Sequence, residues 1–148
     1  MKKDFDRWNV EKQALDVRKG ADCHEREIWW CSIGVNVGSE QHSQTSDFSR
    51  PVIIIRKFTR DIFWAVPLTS KLKKLPFRFR VAANDIENEA LIMQMRAYDK
   101  RRLVRKIGVV EKAIFAELLR TIAETLQTTS PALAGLSEAE ANVYPHAI

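Results

Sequence analysis

Apolar and polar positions change their period several times along the chain. Residues 5–17 place Trp8 and Leu15 on one helical face, which predicts a short amphipathic helix. Residues 18–26 are charged and contain a glycine, so we expect a connector there. In residues 28–37 the period changes to two, which predicts a half-buried strand.

The middle of the chain predicts a series of short strands. A loop rich in Ser, Gln, Thr and Asp precedes them. The expected strands lie at residues 52–55, 62–66, 77–81, 90–96 and 103–110. A basic loop at 71–76, an acidic turn at 84–88 and a helical turn at 98–102 connect them. Arginines and aromatic residues alternate in the third strand, so we expect Arg78 and Arg80 to face solvent.

The end of the chain predicts a second helix followed by a loose tail. Residues 111–126 carry Ile114, Leu118 and Ile122 at a spacing of four, as expected for a helix that packs one face on a sheet. The whole pattern indicates a mainly β fold with flanking helices, built as a small, bent, antiparallel β-barrel. We expect three parts: an N-terminal helical extension, a barrel with its closing helix, and a flexible C-terminal tail, over residues 1–26, 27–127 and 128–148.

Positive charge is concentrated in the predicted strands. Residues 50–106 contain 15 Lys or Arg and 5 Asp or Glu, a local net charge of +10, whereas the whole chain has +5. Such a field attracts polyanions, of which nucleic acids are the usual example. The composition, 45% hydrophobic and 29% charged, is typical of a globular domain.

Other classes of protein receive little support. Cys23 and Cys31 form no disulfide framework, and with His24 they fit no zinc spacing, so we expect reduced thiols, no metal and no cofactor. We expect no membrane span, because no apolar run is long enough, and no secretory signal. These observations favour a cytoplasmic protein.

Four short segments place polar chemistry at the ends of predicted strands. They are Gly38-Ser39-Glu40-Gln41, Arg50-Pro51-Val52-Ile53-Ile54, Pro67-Leu68-Thr69-Ser70 and Gln94-Met95-Arg96-Ala97-Tyr98-Asp99. Metal-free cleavage of an RNA phosphodiester requires proton transfers and stabilisation of a negatively charged phosphorane. Arginine suits the second task because its planar fork gives paired donors to phosphate oxygens. We therefore single out Arg50, with the hydroxyls of Thr69 and Ser70 and the amide of Gln94.

The ordered set of segments, over about residues 27–126, resembles the MazF/PemK toxin family. The resemblance implies an SH3-like barrel of the PemK, MazF and CcdB type, and a ribonuclease that cuts single-stranded RNA at short sequences. It further implies a homodimer inhibited by an acidic antitoxin protein. Carried over to this chain, Arg50 and Thr69 are the catalytic pair, Gln94 lines the RNA site, and Glu40 orders the loop beside Arg50.

The expected RNA contacts extend beyond these residues. Basic side chains that we expect to follow the RNA backbone are Lys71, Lys73, Lys74, Arg78 and Arg80, with Arg96 near the site. Some family members use an Arg and an Asp just before the glutamine, where this chain has Leu91 and Met93, so the general base is unassigned.

Two alternatives stay open from the sequence. The chain is either a nuclease or a non-catalytic protein on the same barrel that inhibits a protein target such as DNA gyrase or binds nucleic acid without cutting it. Trp30 lies on the polar side of its predicted strand, so either a dimer interface or the N-terminal helix, through Phe5 or Trp8, covers it.

Overall fold

Two α-helices flank seven strands in the part of the chain that the structure describes. This computed structural model describes residues 3–43, 45–73, 75, 77–83 and 86–127. Helix α1 spans Phe5–Asp16 and helix α2 spans Lys112–Gln127. The strands are β1 (Glu27–Ser32), β2 (Ser49–Lys57), β3 (Ile62–Thr69), β4 (Arg78–Ala83), β5 (Ile86–Leu91), β6 (Arg96–Asp99) and β7 (Leu103–Val109). The prediction of a mainly β, antiparallel fold with a helix at each end is confirmed.

The strands form one bent antiparallel sheet in the order β4-β5-β3-β2-β1-β7. Strand β3 is shared: its first half pairs with β6 and its last two residues, Leu68 and Thr69, pair with β5. Because two partners divide one edge of β3, the sheet turns there, and its two terminal strands β4 and β7 come into contact. This curvature gives the domain its barrel-like shape.

The division of β3 also explains where two predictions were wrong. The expected strand at residues 90–96 ends at Leu91, and a 3-10 helix at Ile92–Gln94 carries the chain from one half of β3 to the other. Tyr98, expected in a helical turn, instead belongs to β6, and only Lys100–Arg102 form 3-10 helix. Strand pairing determines both boundaries, and local periodicity does not reveal it.

Strand β1 is shorter and more buried than its alternation suggested. It ends at Ser32, and apolar side chains cover both of its faces. Ile28 lies in the cluster that α2 closes with Phe115 and Leu118. On the other face, Trp29 packs in a second cluster with β2 and β3 side chains. The expectation of a half-buried strand was therefore wrong.

The β4–β5 hairpin separates the two arginines that were expected to face solvent. Arg80 is exposed, as predicted, and its Nη1 atom lies 3.6 Å from a carboxylate oxygen of Glu87. The Arg78 side chain, in contrast, is turned away from solvent and is only 9% exposed, because it pairs with Glu89 at 2.9 Å. Most of the expected acidic turn belongs to β5, and residues 84–85 lie outside the described residues, as do Lys74 and the tail at 128–148.

Helix α1 packs against the long connection between β1 and β2. Asp4 caps its N-terminus by accepting a hydrogen bond from the backbone N–H of Arg7 at 3.0 Å. Trp8 and Leu15 form a third cluster with Val35 and Phe48. The N-terminal helix is thus joined to the domain through the β1–β2 loop, residues 33–48, of which residue 44 is not described.

Candidate functional site

Arg50 and Thr69 line the same cleft, at the start of β2 and the end of β3. In the β2–β3 pair Val52 lies opposite Pro67, and this antiparallel register, continued by two residues, places Arg50 opposite Thr69. Residues opposite each other in antiparallel strands project their side chains to the same face. The cleft has a volume of about 620 Å³.

The side chain of Arg50 is partly buried and has no carboxylate partner among the described residues. Its Nη1 atom donates to the backbone oxygen of Leu68 at a distance of 3.4 Å. Its Nε atom is buried without a hydrogen-bond partner in this part of the chain. Burial lowers the pKa of Arg50, and the phenol of Tyr98 opposes that change, but an arginine stays charged at neutral pH. A buried cation with an unused donor favours binding of an anion.

Thr69 can donate a hydrogen bond into this cleft. Its Oγ1 atom accepts a hydrogen bond from the backbone N–H of Lys71 at 3.2 Å, which leaves the hydroxyl proton for another acceptor. Ser70, Lys71 and Lys73 follow it along the cleft wall and are exposed. The hydroxyls of Thr69 and Ser70 therefore share one concave surface with the cations of this turn.

A buried ion pair supports the turn that carries these residues, and our reading of the sequence missed it. Both carboxylate oxygens of Glu89 accept the backbone N–H of Lys73, at 3.0 Å each. The same carboxylate accepts a hydrogen bond from Nη1 of Arg78, which also donates to the backbone oxygen of Lys71 at 3.0 Å. The pattern Arg-x-Arg in β4 followed by Glu-x-Glu in β5 could have indicated cross-strand pairs.

Gln94 holds the β1–β2 loop against the 3-10 helix. Its Oε1 atom accepts the backbone N–H of Gln41 at 3.0 Å, and its Nε2 atom donates to the backbone oxygen of Ser39 at 3.4 Å. Glu40 acts within the loop, since its Oε2 atom accepts the backbone N–H of Val37 at 3.2 Å. Gln41 itself lines the cleft. Two of the four sequence segments thus meet at this loop.

Helix α1 and Lys3, the residue before its N-cap Asp4, hold the same loop from the other side. The ammonium group of Lys3 donates to the backbone oxygens of Asn36 and Gly38, at 2.6 and 2.9 Å. The Trp8 ring lies 5.5 Å from the Phe48 ring and directly over Gly34. A β-carbon built on Gly34 would lie 2.0 Å from Cε2 of Trp8, so the close approach requires a glycine.

The predicted site residues fall into two groups. The cleft brings together Arg50, Thr69, Ser70, Lys71, Lys73 and Arg78. The other four lie elsewhere: Glu40 and Gln94 in or against the loop, Arg80 on the exposed side of β4, and Arg96 in a different cavity. The structure thus joins the two proposed catalytic side chains and separates Arg96 from them.

Trp30 also lines the cleft. It pairs with Pro51 of β2, which lines the same cleft. Trp8, one of the two residues expected to cover it, instead packs on Gly34 and Phe48. The half-buried indole is thus part of the wall that a bound ligand would meet.

The chemical character of the cleft is cationic and hydroxylic. None of the described residues that line it is acidic or a histidine. Over the described ranges, no group of three or more His, Cys, Asp or Glu residues is arranged to hold a metal ion. Cys23 and Cys31 are free buried thiols, and desolvation raises their pKa values to about 11 and about 12. Across the same described residues, no helix is long and apolar enough to cross a membrane.

Comparison with known proteins gives one family and one fold. The model of the PemK-like, MazF-like toxin family of type II toxin–antitoxin systems matches residues 24–126. A search of curated protein sequences finds no match.

Solved structures with low sequence identity share the fold. MazF from Deinococcus radiodurans is 18% identical, with a TM-score of 0.56, over 75% of this chain and 100% of that one. An endoribonuclease in complex with its cognate antitoxin, from Mycobacterial species, is 16% identical, with a TM-score of 0.57, over 74% and 100%. A MazE–MazF complex from Deinococcus radiodurans is 16% identical, with a TM-score of 0.52, over 76% and 100%.

Proposed function

We propose that this protein is a metal-independent endoribonuclease acting on single-stranded RNA. The proposal starts from its family: the chain belongs to the PemK-like, MazF-like toxin family of type II toxin–antitoxin systems. The observation that carries the proposal is that Arg50 and Thr69 line one cationic cleft, where Nη1 of Arg50 donates to the backbone oxygen of Leu68, the residue before Thr69. The Nε atom of Arg50 is a buried and unused donor, and a phosphodiester oxygen is a suitable acceptor for it.

The reaction that this cleft suits is attack by the neighbouring 2′-oxygen on phosphorus. A bond forms between the 2′-oxygen and phosphorus, and the bond from phosphorus to the 5′-oxygen breaks, which leaves a cyclic phosphate and a free 5′-hydroxyl. Arg50 stabilises the charge of the phosphorane, and the Thr69 hydroxyl donates to another of its oxygens. Since the described cleft residues include no acid or histidine, the proton of the 2′-hydroxyl passes to solvent and the 5′-oxygen takes a proton from solvent.

The remaining cleft residues bind the substrate rather than react with it. Lys71, Lys73 and Ser70 contact phosphates on either side of the cleaved bond, and Trp30 offers a stacking surface for a base. Arg78 holds the turn that carries the two lysines through its pair with Glu89. Contacts of this kind give affinity that falls with salt concentration, because each one displaces a counterion.

We also infer the partners of this toxin. Related structures contain an endoribonuclease bound to its cognate antitoxin and a MazE–MazF complex. An acidic antitoxin segment would complement the same cations that bind RNA, and occupying the cleft would block cutting. We propose that the toxin works in the cytoplasm as a homodimer and is inhibited in this way.

One observation favours a second candidate function. The absence of an acid–base pair among the described cleft residues suits a protein that binds nucleic acid, or a protein target such as DNA gyrase, without cutting. Incubation of the pure protein with a long single-stranded RNA in the presence of a chelator separates the candidates. The nuclease yields discrete fragments ending in cyclic phosphate, whereas intact RNA together with an inhibited topoisomerase would support the second candidate.

Two variants connect any cutting to this site. Arg50→Ala removes the guanidinium from the cleft and is expected to abolish the fragments. Arg60→Ala is the matched control, since Arg60 is exposed in the connection between β2 and β3 and is not among the residues lining the cleft. Fragments that persist in Arg50→Ala would assign the cutting to another site or to a contaminant.

A further inference from the structure

A second cavity, separate from the cleft, lies between α1 and the sheet. Its volume is about 350 Å³, within the roughly 300–1,000 Å³ typical of small-ligand sites. Three cations line it: Lys12 from α1, Arg96 from β6 and Arg102 from the 3-10 helix before β7. Two amide side chains, Asn9 and Asn36, complete its polar lining, and none of the described residues lining it is acidic.

Carboxylates near this cavity are bound to another residue. Asp99 and Asp16 both pair with Arg101, with nitrogen–oxygen distances of 2.9 and 3.0 Å. Lys12, Arg96 and Arg102 have no ion pair among the described residues. Asp16 and Asp99 line an adjoining cavity together with Lys12 and Arg102, but both carboxylates pair with Arg101, so the three cations keep an excess of positive charge that attracts an anion.

Aromatic rings hold the two guanidinium groups in place. Arg96 lies over the ring of Tyr98, with 5.2 Å between its Cζ atom and the ring centroid. Arg102 lies over Trp8 at 5.6 Å, and its Nη1 atom donates to the backbone oxygen of Ser32 at 2.9 Å. Stacking orients a guanidinium while leaving N–H groups at its edge free to donate. Such oriented forks suit phosphate oxygens.

The cavity and the cleft share one wall. Asn36 lines the cavity, Gln41 lines the cleft, and Nδ2 of Asn36 donates to the backbone oxygen of Gln41 at 2.6 Å. Arg96 follows Gln94 by two positions, and Gln94 holds the same loop. The cavity and the cleft therefore lie on either side of the β1–β2 loop, and an RNA strand that leaves the cleft across this loop reaches the cations of the cavity.

We propose that this cavity is a second RNA subsite, which binds a phosphate of the same strand outside the segment held in the catalytic cleft. This inference rests on the proposed function, because it takes RNA as the ligand of the cleft. Lys12 comes from residues before 24, the start of the family match, so the N-terminal helix adds a contact that the matched region does not supply. The subsite lengthens the RNA that the toxin binds tightly.

Binding of short and long RNA tests the inference. In a Thr69→Ala background, which keeps RNA intact, anisotropy compares labelled single strands of about 5 and about 20 nucleotides. Lys12→Gln combined with Arg96→Gln should weaken binding of the long strand roughly tenfold and reduce the slope of log K against log salt by about 0.7, for the one phosphate that the cavity holds. Binding of the short strand should stay unchanged.

Arg60→Gln combined with Lys112→Gln is the matched control. It also removes one arginine and one lysine, both exposed and outside the cavity and the cleft. The test variant keeps the ion pairs of Arg101 with Asp16 and Asp99. It also keeps the residues that contact the two guanidinium groups, which are Tyr98, Trp8 and Ser32. Equal melting temperatures for test and control exclude loss of fold as the cause of weaker binding.

Each other outcome overturns the proposal in a distinct way. Equal binding of the long strand by test and control variants, while the wild-type protein still cuts RNA, removes the subsite and keeps the nuclease. If the test variant binds the short and the long strand with equally reduced affinity, Lys12 and Arg96 contact the RNA segment that the cleft holds, and no separate subsite exists. Weaker binding of a polyglutamate peptide with unchanged RNA binding assigns the cavity to an acidic protein partner. Failure of the wild-type protein to bind either strand overturns the proposed function as well.

Discussion

The side-chain oxygen of Gln94 accepts the backbone N–H of Gln41 at 3.0 Å, across 53 positions of sequence. This bond joins the 3-10 helix after β5 to the loop that borders the cleft. Lys3 and Trp8 hold the loop from the opposite side. A loop fixed at several points presents Gln41 to the cleft in one conformation, so less conformational entropy is lost when RNA binds.

Gln94→Ala should weaken substrate binding and leave the chemical step nearly unchanged. The variant removes two neutral hydrogen bonds to the loop, each contributing about 0.5–1.5 kcal/mol, so the loss of both raises KM by roughly 5–160-fold. Steady-state cleavage kinetics check this, with Gln127→Ala at the end of α2 as the control. A fall in kcat with unchanged KM would mean that Gln94 acts on the reacting atoms instead.

Alanine at Gly34 and at Gly38 should separate backbone strain from helix packing. Both glycines have positive φ angles, +80° and +53°, but only Gly34 has a neighbour, Trp8, where a β-carbon would stand. We expect Gly38→Ala to lower the free energy of unfolding by about 1 kcal/mol, from backbone strain alone. Gly34→Ala should lower the free energy of unfolding by about 1–3 kcal/mol more than Gly38→Ala does, because the Trp8 ring must move.

Urea unfolding measures the free energy of unfolding of both glycine variants. The same substitutions made in a Trp8→Ala background complete a double-mutant cycle. With the indole removed, the effect of Gly34→Ala should fall to that of Gly38→Ala. An unchanged effect in that background would show that Trp8 does not restrict position 34, and the contact between α1 and the loop would lose its support.

Glu89→Gln should be far more destabilising than Glu87→Gln. Glu89 is 1% exposed and pairs with Arg78, whereas the Glu87–Arg80 pair is at the surface with a separation of 3.6 Å. Removing one partner of a buried pair leaves an uncompensated charge and costs about 3–5 kcal/mol. An exposed pair contributes about 0–1 kcal/mol. Chemical denaturation measures the free energy of unfolding of the two single variants. Equal losses would contradict the burial of the Arg78–Glu89 pair.

Glu27 should make the fold sensitive to acid. Burial raises the pKa of its carboxyl, but hydrogen bonds from Lys106, the backbone N–H of His24 and the Trp29 indole outweigh burial, so the net pKa lies below the ordinary 4.5. A carboxyl with a lowered pKa in the folded state stabilises the fold above the unfolded value. That stabilisation is lost as the pH falls through the lower, folded-state pKa.

The Glu27→Gln variant isolates this contribution. We expect a lower free energy of unfolding at pH 7, by about 1–3 kcal/mol, since hydrogen bonds to a charged group are lost. The gap between wild type and variant should narrow as the pH falls below about 4.5. A gap that is the same at acid and neutral pH would contradict a lowered pKa for this carboxyl.

The sequence predicted the elements better than their partners. Periodicity located both helices and indicated most strands, because burial of one face leaves a regular pattern. It did not reveal that β3 has two partners, so the break after Leu91 was missed. The burial of Arg78 was missed for the same reason, since its carboxylate partner Glu89 lies on the neighbouring strand.

For the candidate site too, the sequence indicated which residues matter better than where they lie. Arg50 and Thr69 were chosen from ordered segments, and both line the same cleft. Arg96, chosen from the same segments, lines a different cavity because β6 pairs with the other half of β3. Where a side chain lies depends on pairing between distant segments, which no local pattern encodes.

The single-turnover rate of RNA cleavage by Arg50→Ala and Arg50→Lys tests the central claim most directly. We predict a loss of about 100-fold or more for the alanine variant, as for removal of a group that stabilises transition-state charge. Lysine should restore only part of the rate, because it lacks the planar fork. Cleavage by Arg50→Ala at the rate of wild type and of the Arg60→Ala control would contradict the assignment of this cleft as the active site.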